Sequence, residues 1–204
     1  LWALEGTDAD DPNHAVTLRI QLPQSVESEI MLALLSSVLA PKFFDVLRTQ
    51  QQLGYVVQLG SSATGSFAYL VAVVQTEFPP DYARGRMDAF LEEHLAFAEE
   101  SLGEEEFGAC RLGLLSQLRA RPKSLGEELG RYQRAFGERT FDFQRRQRAV
   151  DFLERAATLG ALRAFVRERV RGAPWLYTQV RKVLAKPDKP PPAGAAQRGD
   201  PEGL

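Results

Sequence analysis

Between Val16 and Val74 the hydrophobic period switches from two to about 3.6 and back to two, which confines the chain to a mixed α and β architecture. Val16, Leu18, Ile20 and Leu22 alternate with Thr17, Arg19 and Gln21, the pattern of a half-buried strand that Pro23 ends. Ser25 then offers an N-cap, with Glu27 and Glu29 in the first turn where the helix dipole favours acids. Ile30, Leu34, Leu35, Val38 and Leu39 follow at helical spacing, and Phe43, Phe44 and Leu47 extend the face beyond Pro41, where a kink or a new first turn is expected. The helix should stop near Gln52, because Gly54 follows. Two strands come next: Tyr55–Leu59, which alternates, and Phe67–Val74, whose nearly continuous β-formers predict cover on both faces. Gly60–Ser66 reads as the turn between them.

The second half reads as helices. Pro79-Pro80 opens a long one with Ala83, Met87, Phe90, Leu91, Leu95, Ala98 and Leu102 on its apolar face. Gly103 breaks it, and Glu104-Glu105-Glu106 starts another carrying Phe107, Cys110, Leu114 and Leu118, where Cys110 is expected as a small buried residue. Ser124-Leu125-Gly126-Glu127 is a capping box for a helix with Leu125, Leu129, Tyr132 and Phe136 on one face. Helices over 143–156 and 159–171, the second capped by Thr158, precede a last strand from Trp175 to Leu184. The fold class is α+β: β-α-β-β, several helices and a closing strand, with helices packed on one face of a mixed or antiparallel sheet. Residues 1–184 form the domain, and 185–204, rich in Pro, Gly and charge, are expected as a disordered tail.

Composition excludes several functions. Lys and Arg (25) nearly balance Asp and Glu (27), so nucleic acid and anionic membrane have no electrostatic footing as partners. No unbroken apolar run reaches a membrane span, and the single cysteine forbids an internal disulfide framework. The absence of a signal-type leader and the single Cys favour the cytoplasm, and the start at Leu1 suggests a fragment of a longer protein. Metal chemistry fares no better. The nearest approach to an inverted zinc motif, H-x-x-E-H, is Phe90-Leu91-Glu92-Glu93-His94, where Phe stands in place of the first ligand. The basic run Arg145-Arg146-Gln147-Arg148 sits beside Asp151 and Glu154 and reads as a solvated face rather than an anion patch.

One string carries more. Phe43-Phe44-Asp45-Val46-Leu47-Arg48-Thr49-Gln50-Gln51-Gln52-Leu53-Gly54-Tyr55-Val56-Val57 resembles the hallmark of the fourth, non-catalytic domain of insulysin-like zinc metallopeptidases, the insulinase or pitrilysin family. Gln75–Tyr82, Arg86–Leu91 and Arg121–Leu125 resemble that domain's strand exit, following helix and Pro-Lys turn, so the likeness spans about residues 13–184. The resemblance implies four similar α+β domains in two halves that close into a chamber. Zinc belongs to the N-terminal catalytic domain, and this chain holds no cofactor of its own. Its partners would be peptide substrate and the N-terminal half of the same polypeptide. It further implies that Arg48 and Tyr55 reach the substrate as binding residues, with no catalytic or metal-ligating residue in this chain. On chemistry alone Arg48 could instead stabilise a helix C-terminus, and Tyr55 could pack as a strand residue. At the level of the whole protein, the alternative to a substrate-positioning domain is a catalytically dead family member serving as a structural or interaction module.

Overall fold

The computed structural model describes residues 1–8, 10–183 and 187–192. A five-stranded mixed sheet runs in the order β1-β5-β2-β4-β3. Its strands are β1 (Trp2–Glu5), β2 (His14–Pro23), β3 (Val56–Ala63), β4 (Phe67–Thr76) and β5 (Trp175–Arg181). All pairs are antiparallel except β1 with β5. The helices are α1 (Val26–Phe43), α2 (Pro80–Glu100), α3 (Glu104–Arg119), α4 (Leu125–Gly137), α5 (Arg145–Arg155) and α6 (Leu159–Phe165), and α1 and α6 continue as π-helical turns over Phe44–Gln50 and Val166–Val170.

The α+β class with helices on one sheet face is as the sequence predicts, and the reason is visible in β2. Val16, Leu18, Ile20 and Leu22 point into the core while Thr17, Arg19 and Gln21 stay half-exposed. Against β4 and β3 lies α1, with α3 and α5 beyond it. It is apolar nearly all round, and Ile30, Met31, Leu32, Leu34, Leu35, Val38 and Leu39 are all buried. Ser25 caps it, its side chain accepting from the Ser28 N–H at 2.9 Å. The 25 residues Val26–Gln50 are long and apolar enough to cross a membrane by length and composition, although unbroken apolar runs in the sequence fall short of that. Here they form the centre of the domain's own core. α2 begins with Pro80 at its first position and buries Ala83, Met87, Phe90, Leu91, Leu95 and Ala98, the face its periodicity predicts.

Four local expectations are corrected. β4 is covered on one face only: Ala68, Leu70, Ala72 and Val74 are buried, while Tyr69, Val71 and Val73 on the other face are half-exposed, so the continuous β-formers reflect propensity rather than double burial. β3 runs through Gly60 to Ala63, which shortens the turn to Thr64–Ser66, because Gly60, Ser61 and Ser62 pair with Val71, Leu70 and Tyr69. β1 is an additional strand; its four side chains are exposed, so it leaves no burial signature and is held by pairing with β5. Cys110 is half-buried rather than buried, and burial pushes its thiol pKa up, away from reactivity.

The described part of the 185–204 stretch, 187–192, lies against the domain, and the rest of that stretch is outside the described residues. Asp188 accepts from the Lys182 ammonium at 2.8 Å and meets His14 Nε2 at 3.1 Å, with both Lys182 and His14 buried. His14 Nδ1 accepts from the Lys182 backbone N–H at 3.1 Å, so Nε2 carries the proton that faces Asp188. The Lys182 hydrogen bond holds the Asp188 carboxyl below its ordinary range; burial opposes it, and the hydrogen bond and charge of His14 add to the lowering. The resulting stability is therefore present at neutral pH and lost as acid protonates the carboxyl below that range. Asp188→Ala, which strands a buried ammonium, is expected to lower stability by about 1–3 kcal/mol in urea unfolding at pH 7. As the pH falls through the lowered Asp188 pKa the variant and the parent should converge. An unchanged midpoint at pH 7 would show the 187–192 segment to be dispensable.

Candidate functional site

The segment Phe43–Val57 joins α1 to β3, and Pro41 sets its shape. A proline inside a helix has no N–H to give to the carbonyl four residues back, and its ring crowds that carbonyl. The helix continues past it with a widened π turn over Phe44–Gln50, in which Leu47 remains buried, like Phe43 just before it. The turn closes through bonds from the Gln51 N–H to the Val46 carbonyl and from the Leu53 N–H to the Leu47 carbonyl, each one residue wider than the ordinary C-terminal closure. Gln52, at φ 50°, takes the left-handed position that a glycine usually fills. The helix thus ends on Gln52, and Gly54 serves a different purpose. A Cβ on Gly54 would stand 1.8 Å from the Gln75 carbonyl oxygen, so only glycine lets this loop lie against the end of β4. The buried Thr76 hydroxyl donates to the Leu53 carbonyl at 2.5 Å, and Arg86 Nε donates to Gln51 Oε1 at 2.8 Å, pinning the loop to β4 and α2.

That frame brings together the two residues singled out from sequence. Arg48 Nη1 donates to the Gly54 carbonyl at 2.8 Å and to the Tyr55 carbonyl. The guanidinium lies 4.7 Å from the Tyr55 ring centroid and 5.7 Å from that of Phe44. Three N–H groups, on Nε and Nη2, are left for other acceptors. Tyr55 is 81% exposed, and its hydroxyl has no partner among the described residues. Phe44, Arg48, Tyr55, Val56, Val57 and Gln58 line an open hollow of about 420 Å³. Phe44 is the lining residue that motif reading passes over; its place four residues before Arg48, on the same helix face, was the available signal.

The other candidates are absorbed by packing. Phe90 is buried with its ring edge-on to Phe43 at 5.1 Å, and His94 stacks on Phe90 at 3.8 Å while its Nδ1 bonds the Phe90 carbonyl. These positions do not fit zinc, and among the described residues no group of three His, Cys, Asp or Glu could hold a metal. Metal analysis of the dialysed 204-residue chain is expected to find no stoichiometric zinc, and one tightly held zinc per chain would contradict this. The basic run is also occupied: Gln147 donates to Asp151 at 3.0 Å, while its three arginines have partners other than Asp151 and Glu154. Arg145 pairs with Glu29 at 2.7 Å, Arg148 pairs with Asp142, and Arg146 donates to the carbonyls of Leu118 and Ala120 at the end of α3. Burial, then the bond donated to Asp88, pushes the Tyr177 phenol pKa far above its ordinary value, and burial raises Asp88; with Arg84 at 3.7 Å from Asp88, this cluster ties α2 to β5.

Comparison with known proteins agrees with this frame. The family model for domain 4 of the C-terminal lobe of PQQ synthase PqqF-like proteins matches residues 34–133, a span that includes the whole Phe43–Val57 segment. Human insulin-degrading enzyme is 29% identical over 131 residues, 64% of this chain and 13% of that protein. The chain is an insulinase-family C-terminal domain. The fold of this insulinase-family domain recurs in the crystal structure of pitrilysin, with TM-score 0.73 and 22% identity over 88% of this chain and 19% of that one. It recurs also in a peptidase M16 inactive domain from Pseudomonas fluorescens, with TM-score 0.63 and 12% identity over 93% of this chain and 44% of that one. The domain therefore spans less than half the length of each of these proteins, and under a fifth of human insulin-degrading enzyme and of pitrilysin.

Proposed function

We propose that this domain closes the peptide chamber of a zinc metalloendopeptidase and positions the substrate, with Arg48 and Tyr55 contacting the peptide. The observation that carries the reading is their convergence with Phe44 on one open hollow, with Arg48 held between two rings and the Tyr55 hydroxyl unengaged. A tyrosine so exposed contributes little to the fold, whereas a phenol on a stiff ring beside a fixed guanidinium suits a peptide carbonyl. Nη1 can keep its bonds to the loop while Nη2 and Nε serve the substrate, so binding needs no rearrangement of Arg48. The zinc site would lie in another domain, and this domain's residues would bind and orient.

A second reading has an observation of its own. The bonds from Arg48 to the Gly54 and Tyr55 carbonyls also make it a lock on the helix end, as a structural module in a catalytically dead relative would need. Tyr55→Phe separates the two, since it removes a hydroxyl with no bond inside the domain. A fall in peptide turnover at unchanged stability supports substrate contact, and unchanged turnover supports the lock.

A further inference from the structure

α4 turns its apolar face to solvent. Leu125, Leu129, Tyr132 and Phe136 recur on one side of the helix, and Phe141 and Phe143 close over its end; all six are between 46% and 81% exposed. The Phe136 ring meets those of Phe143 and Phe141 at 5.4 and 5.9 Å, and Tyr132 meets Phe143 at 6.0 Å, a contiguous aromatic surface. Of the described α4 side chains only Ala135 is buried. Such a helix is a poor candidate for standing alone. It has 13 residues, among them Gly126, Gly130 and Gly137, and interior glycines weaken a helix that is already marginal in isolation. Two non-glycine residues in left-handed backbone, Arg139 and Phe141, form the turn that brings Phe141 and Phe143 onto Phe136. Six large apolar side chains exposed side by side mark an interface.

We propose that α4 and the aromatic turn after it are the docking face for the neighbouring domain of the same lobe, which offers an apolar, aromatic-accepting groove. This rests on the reading of the chain as one domain of a larger peptidase. The occupant is argued from length: the chain covers 44% of the Pseudomonas fluorescens inactive domain and 13% of human insulin-degrading enzyme, so its relatives carry further polypeptide of domain size beside this fold. The matching family model describes one domain of a lobe. The charge pattern fits a protein partner better than a membrane. The helix sequence balances Glu127 and Glu128 against Arg131 and Arg134, where a membrane-surface helix would carry a mostly Lys and Arg polar face. The place fits too. The Glu138 carbonyl at the end of α4 lies against Gly65 in the β3–β4 turn, at the other end of β3 from Tyr55. Eight residues of strand separate the two surfaces by roughly 25 Å, which leaves the hollow open while α4 is covered.

Hydrogen exchange tests this by comparing the 204-residue chain with a polypeptide extended through the adjoining domain. Amides of 125–143 should exchange at least tenfold more slowly in the longer polypeptide. Tyr132→Asp/Phe136→Asp should abolish that protection while leaving the melting temperature of the short chain within a degree or two. Equal exchange in both polypeptides overturns the proposal. So does protection of the short chain that grows with concentration alongside dimers in sedimentation, or that appears only with anionic phosphatidylglycerol vesicles. Tyr55→Phe should leave the protection intact, so an interface without a turnover effect, or the reverse, tells which of the two readings has failed.

Discussion

Gly54→Ala is expected to destabilise the domain by about 3–5 kcal/mol, at or beyond the upper end of what added methyl groups do in packed sites. The new Cβ would sit 1.8 Å from the Gln75 oxygen and 2.8 Å from its carbonyl carbon. Both are backbone atoms of β4 within the β3–β4 ladder, so no side chain can rotate aside. Relief requires moving the loop, which breaks the bond from the buried Thr76 hydroxyl to the Leu53 carbonyl and leaves that hydroxyl short of an acceptor. Gly60→Ala is the matched control, since a Cβ there meets nothing within 4 Å and the residue lies in regular strand. It should be neutral or slightly stabilising. Urea midpoints of the two variants decide the matter, and coincident midpoints would refute the close-approach account.

In a polypeptide that includes the zinc-bearing half, Tyr55→Phe and Arg48→Ala are each expected to lower turnover of a short fluorogenic peptide by roughly 10²–10³, the usual effect of removing a donor that meets developing negative charge. If the two residues only orient the peptide, the loss appears in KM as well as in kcat. Arg48→Ala has a second consequence, because it also removes the bonds to the Gly54 and Tyr55 carbonyls. A stability loss of about 1–2 kcal/mol is expected from that variant and almost none from Tyr55→Phe. Normal turnover in both variants would remove Arg48 and Tyr55 from the substrate site.

The parts of the fold legible in the sequence are those whose burial follows a period. β2, α1 and α2 could be read because each presents its buried face to the core at the spacing its backbone dictates. β1 could not, because it buries nothing and depends on β5, more than a hundred residues away. The face on α4 was equally clear as a pattern, but amphipathy records only that a face exists; the structure shows that this domain leaves it uncovered. At the candidate site, the motif named Arg48 and Tyr55 but Gly54 was read only as the signal that stops the helix. Its need for glycine is set by Gln75, a neighbour in space that local sequence does not reveal.

The π turn over Phe44–Gln50 makes the site depend on a count of residues as well as on their identity. A π turn holds one residue more than the α-helical path across the same gap, and each residue of helix rotates a side chain by about 100°. Deleting Asp45 or Val46 would let the segment relax to ordinary helix with Leu47 still available to the core, so the domain could fold almost normally. Yet the guanidinium would swing about a quarter-turn off the Tyr55 ring, and the hollow would lose the side chain that now bridges it. Proteins of this kind can therefore part with the site through a one-codon deletion that leaves every one of its residue types in place, a change that a comparison of composition would pass over and that an aligned motif would show as a gap.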